Sequence, residues 1–298
     1  MPIDRDKVLG ASLGESKGSY VKDDVILYHL GIGAGFRATD AAELAYTYEK
    51  NLKVLPSFLV VAGSSFSGRA VAAATGGGGG MVGLHKIEGL QFNPAMLLHG
   101  EQDIELHQTL PPECVFTTES RISDVFDKGK AALVILESSA RDSDGKPLFT
   151  NRMSLFLRGE GGFGGPSGPA ASNEAPDRKP DGVIESTTLP QQALLYRLCG
   201  DKNPLHADPE FAKMGGFDTP IIHGLCSYGI VCKAMVDGAL GGDVTKVARY
   251  QARFRGVAFP GETYLTSYWN EGDKLIVEAK SKERDAVIIS NAAITLRS

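Results

Sequence analysis

From about residue 100 onward, apolar and polar positions alternate with a period of two through four stretches. They are EQDIELHQTL (101–110), CVFTTESRISDVFD (114–127), KAALVILESSARD (130–142) and PLFTNRMSLFLRG (147–159). Pro-Pro, Asp-Lys-Gly and Asp-Gly separate them, so the pattern predicts four strands joined by tight turns. The residues before them have a different period. DDVILYHLGIGAG (23–35) begins acidic and runs into glycine, and TDAAELAYTYEKN (39–51) spaces Ala, Leu and Tyr for a helix. The five consecutive glycines Gly76–Gly80 predict a mobile loop. In a helix interior each would cost about 1 kcal/mol relative to alanine.

A Gly/Pro/Ser-rich stretch, 159–182, predicts a linker, and the same plan then returns. LPQQALLYRLCG (189–200) and DPEFAKMGG (208–216) predict short helices, the second with Asp208 as N-cap and Pro209 in its first turn. The apolar run 220–240 predicts a buried helix. Four more strands follow in 247–257, 263–272, 274–283 and 286–297. LPPE (110–113) and FPGE (259–262) each introduce the second strand of a set, and LFTNRMSLFLR echoes IISNAAITLR. The order predicts an α+β fold of two copies of one helix-plus-antiparallel-sheet unit. The units are 1–158 and 183–298, on either side of the linker.

Composition narrows the setting. A chain of 298 residues that is 42% hydrophobic can bury a full core. The net charge of −5 and the lack of a basic block argue against a nucleic-acid partner. The longest apolar runs fall far short of the ~20 residues a membrane helix needs, and the N-terminus has no apolar signal core. Four cysteines without CxxC spacing fit a reducing, intracellular setting and argue against structural zinc.

The chemistry gathers in YRLCGDKNPLHADPEFA (196–212). Pro204 restricts its own φ and pushes Asn203 toward extended geometry, so Asp201, Asn203 and His206 share a stiff loop. A carboxylate and an imidazole held close together can share one water, one taking its proton while the other donates. Asn203 would orient that water. The alternative is a capping aspartate beside a core histidine. PIIHGLCSYG (220–229) places Gly224 at a helix start, where an unpaired N–H suits a developing oxyanion. The alternative there is a glycine for tight helix packing.

Other motifs fail. GIGAGF (31–36) lacks the third Rossmann glycine, and GSSFS (63–67) lacks the last glycine of a nucleophile elbow. DKNPLHADPE has Leu205 where a calcium loop needs glycine.

The run YRLCGDKNPLHADPEFAKMGGF with PIIHGLCSYG resembles the signature of the MaoC-like hydratases, and within them the hydratase 2 group. LLHGEQDIEL (97–106), DVFDKGKAAL (124–133), LFLRGEGGFGG (155–165) and ARF (252–254) extend the likeness over nearly the whole chain. The resemblance implies a double hot-dog fold and reversible hydration of trans-2-enoyl-CoA to (R)-3-hydroxyacyl-CoA in fatty acid β-oxidation. It implies Asp201 and His206 as the acid/base pair, Asn203 to place the water and Gly224 to hold the thioester oxygen. His99, Gly100, Lys128 and Phe254 match acyl-CoA contacts, with Pro204 and Leu205 of the loop counted among them. Glu49 aligns with an acidic residue linked to activity.

The resemblance implies further that the N-terminal unit lost its catalytic loop and gives room to long acyl tails. It implies a homodimer, no cofactor or metal, and a peroxisomal setting, although LRS is not a peroxisomal address; a cytoplasmic setting is the other option. Two competing readings remain: a dehydratase acting on acyl-carrier-protein thioesters, and an inactive acyl-CoA-binding protein.

Overall fold

The computed structural model describes residues 3–62 and 84–297. The Gly76–Gly80 run and GSSFS lie outside the described residues. Ten strands form one antiparallel sheet in the order β1-β3-β4-β5-β2-β7-β10-β9-β8-β6. The first five are β1 (Ser12–Tyr20), β2 (Leu97–Leu106), β3 (Cys114–Asp127), β4 (Ala131–Asp142) and β5 (Pro147–Arg158). The second five are β6 (Gly182–Thr187), β7 (Val247–Phe254), β8 (Thr263–Asn270), β9 (Lys274–Ser281) and β10 (Ala286–Leu296). Read from each edge inward, both sets run first, third, fourth, fifth, second. The duplication glimpsed in the turn and strand echoes is thus complete in the sheet, which joins its halves where β2 pairs with β7.

Ion pairs cross that seam, Glu101–Arg253 and Asp103–Arg249, each at 2.6 Å. Partly exposed pairs of this kind contribute about 0–1 kcal/mol each. Their main effect is on register, because they oppose unlike charges across neighbouring strands.

Helices cover one face: α1 (Arg5–Val8), α2 (Lys22–Gly31), α3 (Ala41–Thr47), α4 (Gln192–Tyr196), α5 (Pro209–Met214) and α6 (Gly224–Ala239). α6 is the long apolar helix, with Cys226, Tyr228, Val231, Cys232, Met235 and Val236 fully buried. It packs against both halves. Tyr228 stacks on Tyr250 of β7 at 4.1 Å and donates its hydroxyl to the Tyr250 carbonyl at 2.7 Å. On its other side Gly229 admits α2: a Cβ there would lie 2.5 Å from the Tyr28 hydroxyl and 2.6 Å from Ile32. One hydrophobic cluster runs from Tyr20 to Ile294 and serves both halves. Each fully buried Val or Leu in it contributes about 1.5–3 kcal/mol.

Several elements depart from the sequence pattern. β2 starts at Leu97 rather than 101, and α3 covers only Ala41–Thr47 of the expected 39–51. The helix expected over 220–240 begins at Gly224, because residues before it are extended and the Ile222 N–H donates to the Ala258 carbonyl at 2.8 Å. β1 and β6 carry no alternating apolar signal, since each is an edge strand with a largely exposed pattern.

Candidate active site

The loop after α4 is built by its own side chains. A short turn, Arg197–Cys199, ends at Gly200 with φ 132°, a conformation that favours glycine. Asp201 then accepts the Asn203 N–H at 3.0 Å, and Asn203 Oδ1 accepts the Leu205 N–H at 3.1 Å. Two successive side-chain turns therefore place Pro204 at the start of a single helical turn, Pro204–His206. Leu205 packs against Gly215 at the end of α5. Asp208 caps α5 through the Glu210 and Phe211 N–H groups.

His206 is buried, and its Nδ1 donates to the Ile221 carbonyl at 2.9 Å. That bond fixes the tautomer and leaves the Nε2 lone pair open. Burial pushes the His206 pKa below its ordinary value of 6.5, opposed by the Ile221 carbonyl and the nearby Asp201 charge. The ring is therefore a neutral proton acceptor near pH 7.

His223 completes the cluster. It is 1% exposed, stacks on His206 at 3.7 Å and packs on Tyr196 at 4.9 Å. Its Nε2 donates to the Asp201 main-chain carbonyl at 3.3 Å, while its Nδ1 is buried with no partner among the described residues. Burial, and then the positive charge His206 would carry, hold its pKa well below the ordinary value. The potential ligand atoms of Asp201, His206 and His223 lie within 4.8 Å of one another. Stacked rings at 28° direct their in-plane lone pairs along nearly parallel planes, so the set suits proton handling better than chelation.

Gly224 follows His223 and opens α6. A Cβ at Gly224 would touch the Phe254 ring at 3.4 Å. Phe254 meets His99 edge-on at 5.0 Å. His99 donates to the Glu101 carbonyl at 3.1 Å and is pushed down to about 4 by burial, with Asp201 acting in the opposite direction. Gly100 lies at the bulge between His99 and Glu101 in the β2–β5 register. The structure thus brings Asp201, Asn203, Pro204, His206, Gly224, His99, Gly100 and Phe254 into one region, with Leu205 just behind the loop.

Two expected residues lie apart. Lys128 is at the β3–β4 turn, over the Phe126 ring and bonded to the Ser167 carbonyl. Glu49 is exposed beyond α3, and among the described residues no hydrogen bond or ion pair ties it to the loop. The buried acid of that region is Glu43, which accepts the Gly35 N–H at 2.8 Å and binds Lys233 of α6 at 3.1 Å. That ion pair borders a cleft of about 490 Å³ along α6, which also includes Arg37, Thr187 and Asp237. None of the expected site residues lines it, and its charges bind the two halves to each other.

Sequence reasoning missed His223 and Tyr196 as members of the site. The available signal for Tyr196 was the repeated helix motif, VILYHLGIG (25–33) against ALLYRLCGD (193–201). The two tyrosines in it, Tyr28 and Tyr196, meet with ring centroids 6.1 Å apart.

Residues 19–159 match the MFE-2 hydratase 2 N-terminal domain, and residues 171–292 match the MaoC-like domain. The chain is 43% identical over 295 residues to "Enoyl-CoA hydratase ChsH3" of Mycobacterium tuberculosis, covering 99% of each. It is 40% identical to "Enoyl-CoA hydratase 2, peroxisomal" of Arabidopsis thaliana, covering 96% of this chain and 93% of that one. A MaoC-like dehydratase from Phytophthora capsici superposes with a TM-score of 0.83 at 33% identity, over 98% of each chain. A further Mycobacterium tuberculosis structure, described as a double hot-dog fold, matches with a TM-score of 0.57 at 11% identity over 98% of this chain and 96% of that one. The chain belongs to the MaoC-like, MFE-2 hydratase 2 family. Among the described residues no helix is long and apolar enough to cross a membrane.

Proposed function

We propose that the protein hydrates trans-2-enoyl-CoA reversibly to (R)-3-hydroxyacyl-CoA, as a step of fatty acid β-oxidation. One observation carries this reading: a neutral His206 with Nδ1 pinned to Ile221 and Nε2 open, beside the Asp201 carboxylate and the first residue of α6. His206 Nε2 takes a proton from water as the water oxygen bonds to C3 of the alkene. The C2–C3 π electrons move toward the thioester, whose oxygen is held by the Gly224 N–H at the positive end of the helix. Asp201 steadies the imidazolium, which returns the proton to C2, so the sum is H and OH added across the double bond. The Asn203 amide donates to the water oxygen, since its carbonyl is already bonded within the loop.

His99, Gly100 and Phe254 line the acyl-thioester path, and Lys128 meets the phosphates of CoA. The N-terminal unit, whose matching turn carries none of these catalytic groups, accommodates the acyl tail. Glu49 acts from that unit as a support. The plant relative's name supports a peroxisomal setting, and the mycobacterial relative shows that the same chain plan serves a bacterium. A homodimer is the expected assembly, checked by sedimentation. The deciding experiment follows loss of the conjugated enoyl absorbance across acyl lengths, with chiral analysis of the product. An (S) product, or no hydration of any 2-enoyl-CoA, overturns the proposal.

A further inference from the structure

The stretch Gly159–Gly168 reads as the beginning of a linker, yet it is fastened to the sheet. The Asp127 N–H donates to the Pro166 carbonyl at 2.9 Å, and the Gly159 N–H donates to the Lys130 carbonyl at 2.9 Å. Asp127 Oδ1 accepts the N–H groups of Gly129 at 2.7 Å and Gly162 at 2.9 Å, while Oδ2 accepts that of Gly164 at 2.8 Å. Gly161 lies so close to the turn that a Cβ would be 2.5 Å from both the Gly129 carbonyl oxygen and the Ala131 nitrogen. No side chain fits there.

Three exposed cations stand around this knot, and the half-buried Arg5 lies against Gly165 with its Nε on the Val125 carbonyl. Lys128, Lys130 and Arg158 are exposed, and none has a recorded carboxylate partner among the described residues. Lys130 precedes Ala131, whose partner in the β4–β5 register is Arg158. Asp127 lies among them and Glu160 belongs to the fastened stretch. Register also fixes the distance to the catalytic region. Asp127 pairs with Ala132, Ala132 with Leu157, and Leu157 with Leu97, two residues before His99. Three strand spacings and two residues of rise put the turn about 15 Å from His99, a span an extended pantetheine arm covers.

We infer that Asp127 is a positioning residue for the nucleotide end of the substrate: it folds the glycine-rich stretch 159–168 onto the β3–β4 turn and so presents Lys128, Lys130 and Arg158 as one face for phosphate groups. The inference rests on the acyl-CoA reading above. A carboxylate among cations that face a polyanion weakens binding unless its charge is turned inward. Here both oxygens are taken up by backbone N–H groups, which also hold the carboxyl below the usual carboxylate range. The acid thus organises a phosphate site without opposing it.

The test compares crotonyl-CoA with crotonyl-pantetheine, which has the same reacting atoms and no nucleotide. In Asp127→Asn one acceptor oxygen becomes a donor and the knot loosens. The ratio of kcat/KM on the CoA thioester to that on the pantetheine thioester should then fall about tenfold, mainly through KM. Gly162→Ala, which keeps the carboxylate and strains a backbone at φ +83°, should lower the ratio in the same sense. It also serves if Asp127→Asn does not fold. An unchanged ratio in the folded variants, including an equal loss on both thioesters, overturns the inference. Failure of the unmodified enzyme to hydrate either thioester would instead count against the hydratase reading.

Discussion

The two halves share a strand order and differ in the turns that follow α2 and α4. Aligned on Tyr28 and Tyr196, the C-terminal Asp201, Asn203 and His206 fall opposite Gly33, Gly35 and Ala38. Each half nevertheless contains a buried histidine with the same tautomer. His29 donates from Nδ1 to the Tyr46 carbonyl at 2.8 Å, and its Nε2 accepts the Leu55 N–H at 3.2 Å. His206 makes the matching Nδ1 bond, to Ile221, and its Nε2 has no such occupant among the described residues. One ring is consumed by the fold and the other keeps its Nε2 lone pair. In the hydratase reading proposed above, scaffold and catalyst differ in whether the last hydrogen-bonding position of an imidazole is filled.

The largest expected effect breaks the comparison directly. Asp201→Ala or His206→Ala should lower kcat by roughly 10²–10⁴ with little change in binding, and the double variant should be only slightly worse. Phe36→Ala, in the matching N-terminal turn, should change kcat by less than about twofold. Near-normal turnover in a folded Asp201 or His206 variant would remove the distinction between the halves.

Next comes pH. Burial holds His29 and His99 down to about 4, and His206 and His223 below their ordinary value as well. The unfolded chain takes up these protons near 6.5, the fold resists them, and so the unfolded state binds more protons between those values. Stability should be full above pH 6.5 and fall as pH drops toward 4, by at most about 1.4 kcal/mol per unit for each such histidine. Urea titrations across this range measure the slope. His29→Gln should reduce the slope by one histidine's share, and an unchanged slope would deny His29 its part.

Smaller still is the packing between halves. Gly229→Ala drives a methyl against the Tyr28 hydroxyl and Ile32, and should cost about 1–3 kcal/mol in urea unfolding. A neutral result would mean that α2 can slide away from α6 freely. The smallest effect is Lys128→Ala. It should raise KM with a modest change in kcat, and the difference should shrink with salt because an exposed charge is screened over ~8–10 Å. A kcat effect as large as the KM effect would place Lys128 in the chemistry.

Much of this was legible beforehand. Strands β3, β4 and β5 fall within a residue or so of their alternating patterns, because one face of each is buried. The candidate loop was visible because Pro204, Asn203 and Gly200 impose geometry locally. Edge strands β1 and β6 were not, since a strand with a neighbour on one side only needs less apolar patterning. His223 was read as part of a helix start. Its contact with His206 depends on the extended segment 220–223 pairing with Ala258, a long-range event. Asp127 was hidden for a similar reason, because its partners lie 35 and 37 residues further along the chain.

The seam has a consequence for how this chain can be divided. Because β2 and β7 pair in the middle of the sheet, the covalent crossing between halves contributes no strand to their junction. The exposed residues 170–171 lie beyond the fastened stretch and before β6. A cut there severs the polypeptide and leaves every ladder intact. Two separately made fragments should therefore find each other through β2 and β7 and bring His99 back against Phe254.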